Sequence, residues 1–227
     1  MSKKITNRQF LAYLAADIGA TTLTCARVSP ITLRRPVDSQ FRKLTANRNL
    51  ANPVVLVTYA TRAGSTMEIA HRIATELEER DFAVNICPIK RVTSLVGYSH
   101  VVIGSAIRMG SPLPEITHFV EEYHSELRGI PLACFAVYLQ HDGQDETSRK
   151  ARLAYLNPIR NLLSLQYEAF FTGVYDPTKV PSIDAVIGNI AKTPVGDFRD
   201  WAAIKDWGQS IFSVSLTAWK EREAVLL

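Results

Sequence analysis

Residues 58–70 read TYATRAGSTMEIA, and the change of period inside that stretch decides the fold. Before it runs Val54–Tyr59, a continuous, largely β-branched apolar segment, as a strand covered on both faces requires. After it the period becomes helical. Across Thr66–Arg80, the residues Ala70, Ile73, Ala74 and Leu77 share one face, while Glu76, Glu78 and Glu79 lie mostly elsewhere. A buried strand feeding a helix through a loop as short as Ala60–Thr66 is how a parallel, crossover-connected sheet begins.

Working outward, the same alternation repeats. Phe82–Ile89 (FAVNICPI), Val101–Ile107 (VVIGSAI), Leu132–Leu139 (LACFAVYL) and Glu168–Val174 (EAFFTGV) read as four further strands. Pro114–Leu127 reads as a helix with Pro114 in its first turn and Ile116, Phe119, Val120, Tyr123 and Leu127 inward. Glu146–Leu163 is largely helical, broken or bent at Pro158. Asp200–Val214 closes the pattern, with Trp201, Ile204, Gly208 and Ile211 on one face and both Trp201 and Trp207 expected to pack. The expected fold is α/β: a doubly wound, five-stranded parallel sheet with helices on both faces. Ligands of such sheets bind beyond the carboxyl ends of the strands at the switch point. That brings together Ala60–Thr66, Arg108–Leu113 and Gln140–Gly143.

The 227 residues are 47% hydrophobic and 21% charged, a globular composition. The net charge of +4 is unevenly spread. Residues 1–52 carry nine basic and two acidic groups, whereas residues 53–227 carry seventeen and twenty. A mildly acidic body argues against nucleic acid as a partner. Three boundaries follow: a basic segment over 1–52, the α/β domain over 53–214 and a tail over 215–227. Within the first, KKITNRQFLAYLAADIGATTLTC has the basic-then-apolar order of an export signal. Thr6–Leu11 resembles a twin-arginine leader with Asn7 in place of the first arginine, but Asp17 interrupts the apolar run. The alternatives are a degenerate leader and an amphipathic helix that stays attached. The remainder, to residue 52, reads as a basic linker able to touch an anionic membrane surface. The expected location is therefore cytoplasmic or peripheral to a membrane, with export through the degenerate leader as the alternative. Cys25, Cys87 and Cys134 are too scattered for a disulfide framework or a zinc site, and no metal-ligand spacing joins the histidines.

The loop at Ala60–Thr66 admits two readings. It aims free backbone N–H groups, at the positive end of a helix, toward one spot, which suits a phosphate. A P-loop would need a lysine after Gly64, where Ser65 and Thr66 stand instead, and a dinucleotide fingerprint would need three glycines. Hydroxyls at Thr61, Ser65 and Thr66 then suit a single terminal phosphate. Alternatively, Ser65-Thr66-Met67-Glu68 is a Ser-x-x-Glu capping box that opens a helix and binds nothing.

TYATRAGSTMEIAHRIATEL resembles the phosphate loop and first helix of flavodoxins, whose pattern is Ser/Thr-x-Thr-Gly-x-Thr. Thr61, Gly64 and Thr66 match it, and Ala63 stands where the middle threonine is usual. VVIGSAIRMG (101–110) and GDFRDWAAIKDW (196–207) are similar to the flavin loop and closing segment of the flavodoxin-domain group that includes the menaquinone-dependent protoporphyrinogen IX dehydrogenases. The resemblance covers residues 53 to about 212. It implies the flavodoxin strand order 2-1-3-4-5 and a bound FMN. Thr61, Arg62, Ala63, Gly64, Ser65 and Thr66 would wrap its phosphate. Ala106, Ile107, Arg108, Met109 and Gly110 would line one side of the ring, and Val137, Tyr138, Leu139, Gln140 and His141 the other. Neither loop carries the tryptophan that many flavodoxins stack on the flavin, although Tyr138 lies near the second.

The resemblance further implies an oxidoreductase passing electrons to a quinone, with a porphyrinogen as the candidate substrate. Arg108 is the candidate catalytic residue, anchoring an anionic substrate or stabilising reduced flavin. Its alternatives are a solvated loop arginine and a salt bridge to Asp142 or Glu115. The rival functions are a non-enzymatic electron carrier with a redox-protein partner and a flavodoxin-like module that has lost FMN.

Overall fold

The structure is a computed structural model that describes residues 53–178, 193 and 195–213. The leader-like segment, Cys25, Val214 and the tail lie outside the described residues. Five strands form one parallel sheet: β1 (Val54–Ala60), β2 (Ala83–Pro88), β3 (His100–Arg108), β5 (Leu132–Tyr138) and β6 (Tyr167–Thr172). Their order is β2-β1-β3-β5-β6, with the two-residue β4 (Ser111–Pro112) hanging antiparallel from β3. Setting β4 aside, this is the expected 2-1-3-4-5 order.

The helices are α1 (Ser65–Glu78), α2 (Pro114–Glu122), α3 (His124–Leu127), α4 (Glu146–Ala154), α5 (Asn157–Arg160) and α6 (Trp201–Ser210). Ile69, Ile73 and Leu77 of α1 and Ile204 of α6 fill the core on one face, whereas Ile116, Phe119 and Val120 of α2, Leu127 of α3 and Ile159 of α5 fill the other. This two-sided cover is why Val55, Leu56 and Val57 retain no exposed surface and why β1 is apolar without alternation.

Several local expectations are corrected. The helix expected over 114–127 breaks at Tyr123, whose φ of −102° and ψ of 22° leave the helical region. The one expected over 146–163 ends at Ala154, and Pro158 falls in the first turn of α5, where its missing N–H costs nothing. The last strand stops at Thr172. After Gly173, β7 (Val174–Tyr175) pairs antiparallel with β8 (Gly196–Asp197). Trp201 does not pack inward: it is 41% exposed and carries the Arg199 guanidinium over its ring at 4.5 Å. Trp207 does pack, edge-on against Phe135 and Phe171. Cys134 is buried and Cys87 half-buried, and both are free thiols.

Close approach explains one glycine. A Cβ on Gly104 would lie 2.1 Å from Cζ of Phe135, so the ring on β5 lies across β3 only because that position has no side chain. Between α1 and α6, the fully buried Glu76 carboxylate meets Arg72 at 2.6 Å and Gln209 at 2.8 Å, so the buried charge is paired. Among the described residues, no helix is long and apolar enough to cross a membrane.

Candidate functional site

Beyond the carboxyl ends of β1, β3 and β5 lies a cavity of about 380 Å³, within the size range of small-molecule sites. The β1–α1 loop forms its first wall. Thr61 Oγ1 accepts the Gly64 N–H at 2.9 Å and closes the turn. Gly64 then takes φ = +98°, a left-handed conformation that would strain a residue with a Cβ, and α1 starts at Ser65. The capping box does not form. No side chain caps α1, and the Glu68 carboxylate is held by Arg199 instead. The first-turn N–H groups of α1 are therefore left to a ligand or to water. Directly behind them Thr66 is fully buried, and its Oγ1 has no hydrogen-bond partner. An orphaned buried hydroxyl is costly, and an oxyanion at the helix terminus would satisfy it.

Arg62 is engaged elsewhere. Its guanidinium pairs with both oxygens of Glu115, at 2.8 and 3.1 Å, and Lys90 meets the same carboxylate at 3.1 Å. Hydrogen bonding from Arg62 is the main reason the Glu115 carboxyl is held down to about 2. Since Arg62 and Lys90 take Glu115, a ligand at α1 would be neutralised chiefly by N–H and hydroxyl donors.

The second wall is the end of β3. The Arg108–Leu113 stretch expected as a loop is a tight hairpin: Ile107 faces Pro112, and Arg108 faces Ser111. Met109 and Gly110, at φ = 52° and 80°, form its two-residue turn with both central residues left-handed. Ser105 ties the hairpin base, donating to Ala106 O and accepting from Leu113 N. Met109 is 82% exposed at the tip and offers an apolar, polarisable side chain at the cavity mouth. Arg108 lines the cavity from the strand end.

The third wall is the end of β5 with Leu139 and Gln140. Tyr138 does not present its ring as a stacking surface; the ring is buried against Tyr155, with centroids 5.8 Å apart. Burial pushes both phenols above their ordinary pKa, so each stays neutral. Tyr155 donates to Gln140 O at 3.0 Å and meets His141 Nδ1 at 2.8 Å.

Thirteen of the expected contact residues line this one cavity: Thr61, Arg62, Ala63, Ser65, Ala106–Gly110 and Val137–Gln140. Gly64 and Thr66 lie behind the first wall rather than on it. His141 is exposed, with φ = 64°, and turns its ring to Tyr155 instead of the cavity. Sequence reasoning missed Tyr155 and the floor formed by Gly173, Val174 and Tyr175. The glycine at the carboxyl end of EAFFTGV was the available signal for the floor. Tyr155 had none, because helix periodicity does not reveal a hydrogen bond back to a preceding loop.

The arrangement suits a flat apolar ligand with one anionic end, held at α1. Over 180 residues the chain is 28% identical to a protoporphyrinogen IX dehydrogenase [quinone] of Leishmania major, covering 73% of this chain and 77% of that one. Over 86 residues it is 33% identical to the protein of the same name from Escherichia coli K12, covering 37% and 48%. The Flavodoxin domain family matches residues 56–180, more than half of the chain and including all three walls. The chain belongs to the flavodoxin domain family.

Proposed function

We propose that the chain is an FMN-dependent oxidoreductase that oxidises a porphyrinogen and delivers the electrons to a quinone. The observation that carries the cofactor assignment is Thr66 Oγ1, buried without a partner behind an uncapped helix start. A monophosphate fits there: its oxygens would accept from Thr66, Ser65 and the first N–H groups of α1, with no lysine needed. FMN, when bound, supplies two-electron chemistry, and the protein contributes orientation and electrostatics. Ala106–Gly110 and Val137–Gln140 would flank the ring. Arg108, at the mouth, would anchor a carboxylate of an anionic substrate, and Met109 would cover an apolar face. The absence of a ring stacked from either loop leaves room for a planar substrate, which favours an enzyme over a shuttle. The basic segment 1–52 would draw the domain to an anionic membrane surface, where a quinone resides.

The test uses the purified full-length chain with FMN in excess, then anaerobic protoporphyrinogen with a quinone acceptor. Flavin absorption that survives desalting, followed by porphyrin formation, is the expected result. A protein that stays colourless would overturn the cofactor assignment. Bound FMN without porphyrin formation would leave an electron carrier.

A further inference from the structure

We propose that Tyr155 is a positioning residue for the flavin: together with Arg152 it holds the Gln140–Gly143 loop and so fixes Gln140, the end of the Val137–Gln140 flank, against the cofactor. The proposal rests on the flavin reading above.

Three carbonyls of this loop are fixed from α4 and the residue that follows it. The Tyr155 hydroxyl donates to Gln140 O at 3.0 Å. Arg152 Nη1 donates to His141 O, and to Gly143 O at 2.5 Å. The His141 ring closes the circuit with Nδ1 2.8 Å from the Tyr155 oxygen. A phenol has one proton, and it goes to Gln140 O; His141 therefore donates through Nδ1–H. The chain runs imidazole N–H to phenol oxygen, then phenol O–H to backbone carbonyl.

These bonds have a geometric consequence. No peptide here is cis, so each C=O is antiparallel to the N–H of its own peptide plane. Pinning Gln140 O and His141 O toward α4 sets the opposite direction for the N–H groups of His141 and Asp142. The loop cannot rotate its peptides without breaking the clamp. His141 sits at φ = 64°, a conformation that is strained for a non-glycine residue and persists only where surrounding bonds over-determine it.

The anchor is firm because of where Tyr155 lies. Helix α4 buries none of its own side chains and is capped by Asp145, which accepts from Ser148 N at 2.9 Å. Tyr155 follows it, is 3% exposed and packs on Tyr138, the last residue of β5. The loop is thus tied to the sheet core through one phenol that also lines the cavity.

The test compares the full-length wild-type chain with Tyr155→Phe, which keeps the ring packing and removes both hydrogen bonds. Arg152→Met is the second variant, on a partly exposed position that does not threaten folding. Each apoprotein is titrated with FMN, and the midpoint potential and visible circular dichroism of the bound flavin are read at saturation. In either variant FMN binding weakens about tenfold, the loss of one net hydrogen bond of about 1.4 kcal/mol. The potential and the visible spectrum shift with it. A merely structural role would lower the melting temperature and leave both saturated-flavin signals at wild-type values, and that result overturns the proposal. If the wild-type chain itself takes up no FMN, the flavin reading falls and the proposal falls with it; normal wild-type binding with unaltered variants overturns the proposal alone.

Discussion

A hydroxyl that is buried and unpartnered makes a sharp prediction at the scale of a single residue. Thr66→Val is nearly isosteric and deletes an Oγ1 that has no protein partner. The apoprotein should lose no stability, because no hydrogen bond is broken and the desolvation cost of an orphan disappears. Its affinity for FMN should fall about 10- to 100-fold, as a charge-assisted bond of about 1.5–3 kcal/mol is lost. Thermal melts of the apoprotein and fluorescence titration with FMN check both halves. A melting temperature that drops sharply would mean Thr66 is a core residue and nothing more. Gly64→Ala should act oppositely: open space surrounds its missing Cβ, so the cost is conformational, about 1 kcal/mol from the left-handed φ of 98°. That Thr61, Ser65 and the strand-end residues come together around one cavity was legible, because loops at strand carboxyl ends converge. The failure of the Ser65–Glu68 capping box was not legible. Gly64 takes the N-cap position in the left-handed conformation, so Ser65 opens the helix instead of capping it, and Glu68 pairs with Arg199, more than a hundred residues away.

Between elements, packing distances dominate. Gly104→Ala places a methyl within the Phe135 ring, so β3 and β5 must move apart or the ring must leave its pocket against Trp207 and Phe171. Overpacking of this kind costs about 1–3 kcal/mol or more, and denaturant melts should show a lowered midpoint with an unchanged slope. The start of α6 offers a milder case. Asp200 accepts from Ala203 N at 3.0 Å, and Asp200→Ala should cost about 1 kcal/mol. Helices and strands were legible wherever one period ran uninterrupted, as in α1 and β5. The break at Tyr123 was not, since that segment keeps apolar residues at helical spacing across it, whereas Pro158 signalled the second interruption, which falls earlier, after Ala154. The β3–β4 hairpin was missed because Met109-Gly110 lacks the Asn-Gly or Asp-Gly signal of a two-residue turn.

At the scale of the whole molecule, the end of the sheet opposite the cavity carries a pH-sensitive joint. His100, 4% exposed, lies between the rings of Phe82 and Phe212 at 5.5 and 4.6 Å, with Nδ1 2.9 Å from Ser99 Oγ. Arg80 lies over the Phe82 ring and donates to Gly208 O and Ile211 O, strapping the end of α6 to the same place. Burial lowers the His100 pKa from 6.5 to about 4. The folded pKa is the lower one, so the unfolded chain takes up the proton first as pH falls. Stability should therefore decline from about pH 6.5 to about pH 4 and then level off, by at most about 3 kcal/mol. Urea melts across this range should show that slope in the wild-type chain and lose it in His100→Gln. An equal slope in both would place the titration elsewhere.

What the sequence by itself determined was the alternation of strand and helix, and from it the parallel sheet and the convergence of three loops at one end. These follow from local periodicity, which the chain carries residue by residue. Only the tertiary structure decided which groups inside those loops are satisfied and which are left over. The guanidinium of Arg62 pairs with Glu115, the Tyr138 ring is buried against Tyr155, and Glu68 is held by Arg199. Each outcome turns on a partner distant in sequence, and hydrogen-bonding capacity, unlike hydrophobic period, has no local signature. Thr66 was already a candidate in the sequence; what only the fold decided is that its hydroxyl is buried with no partner.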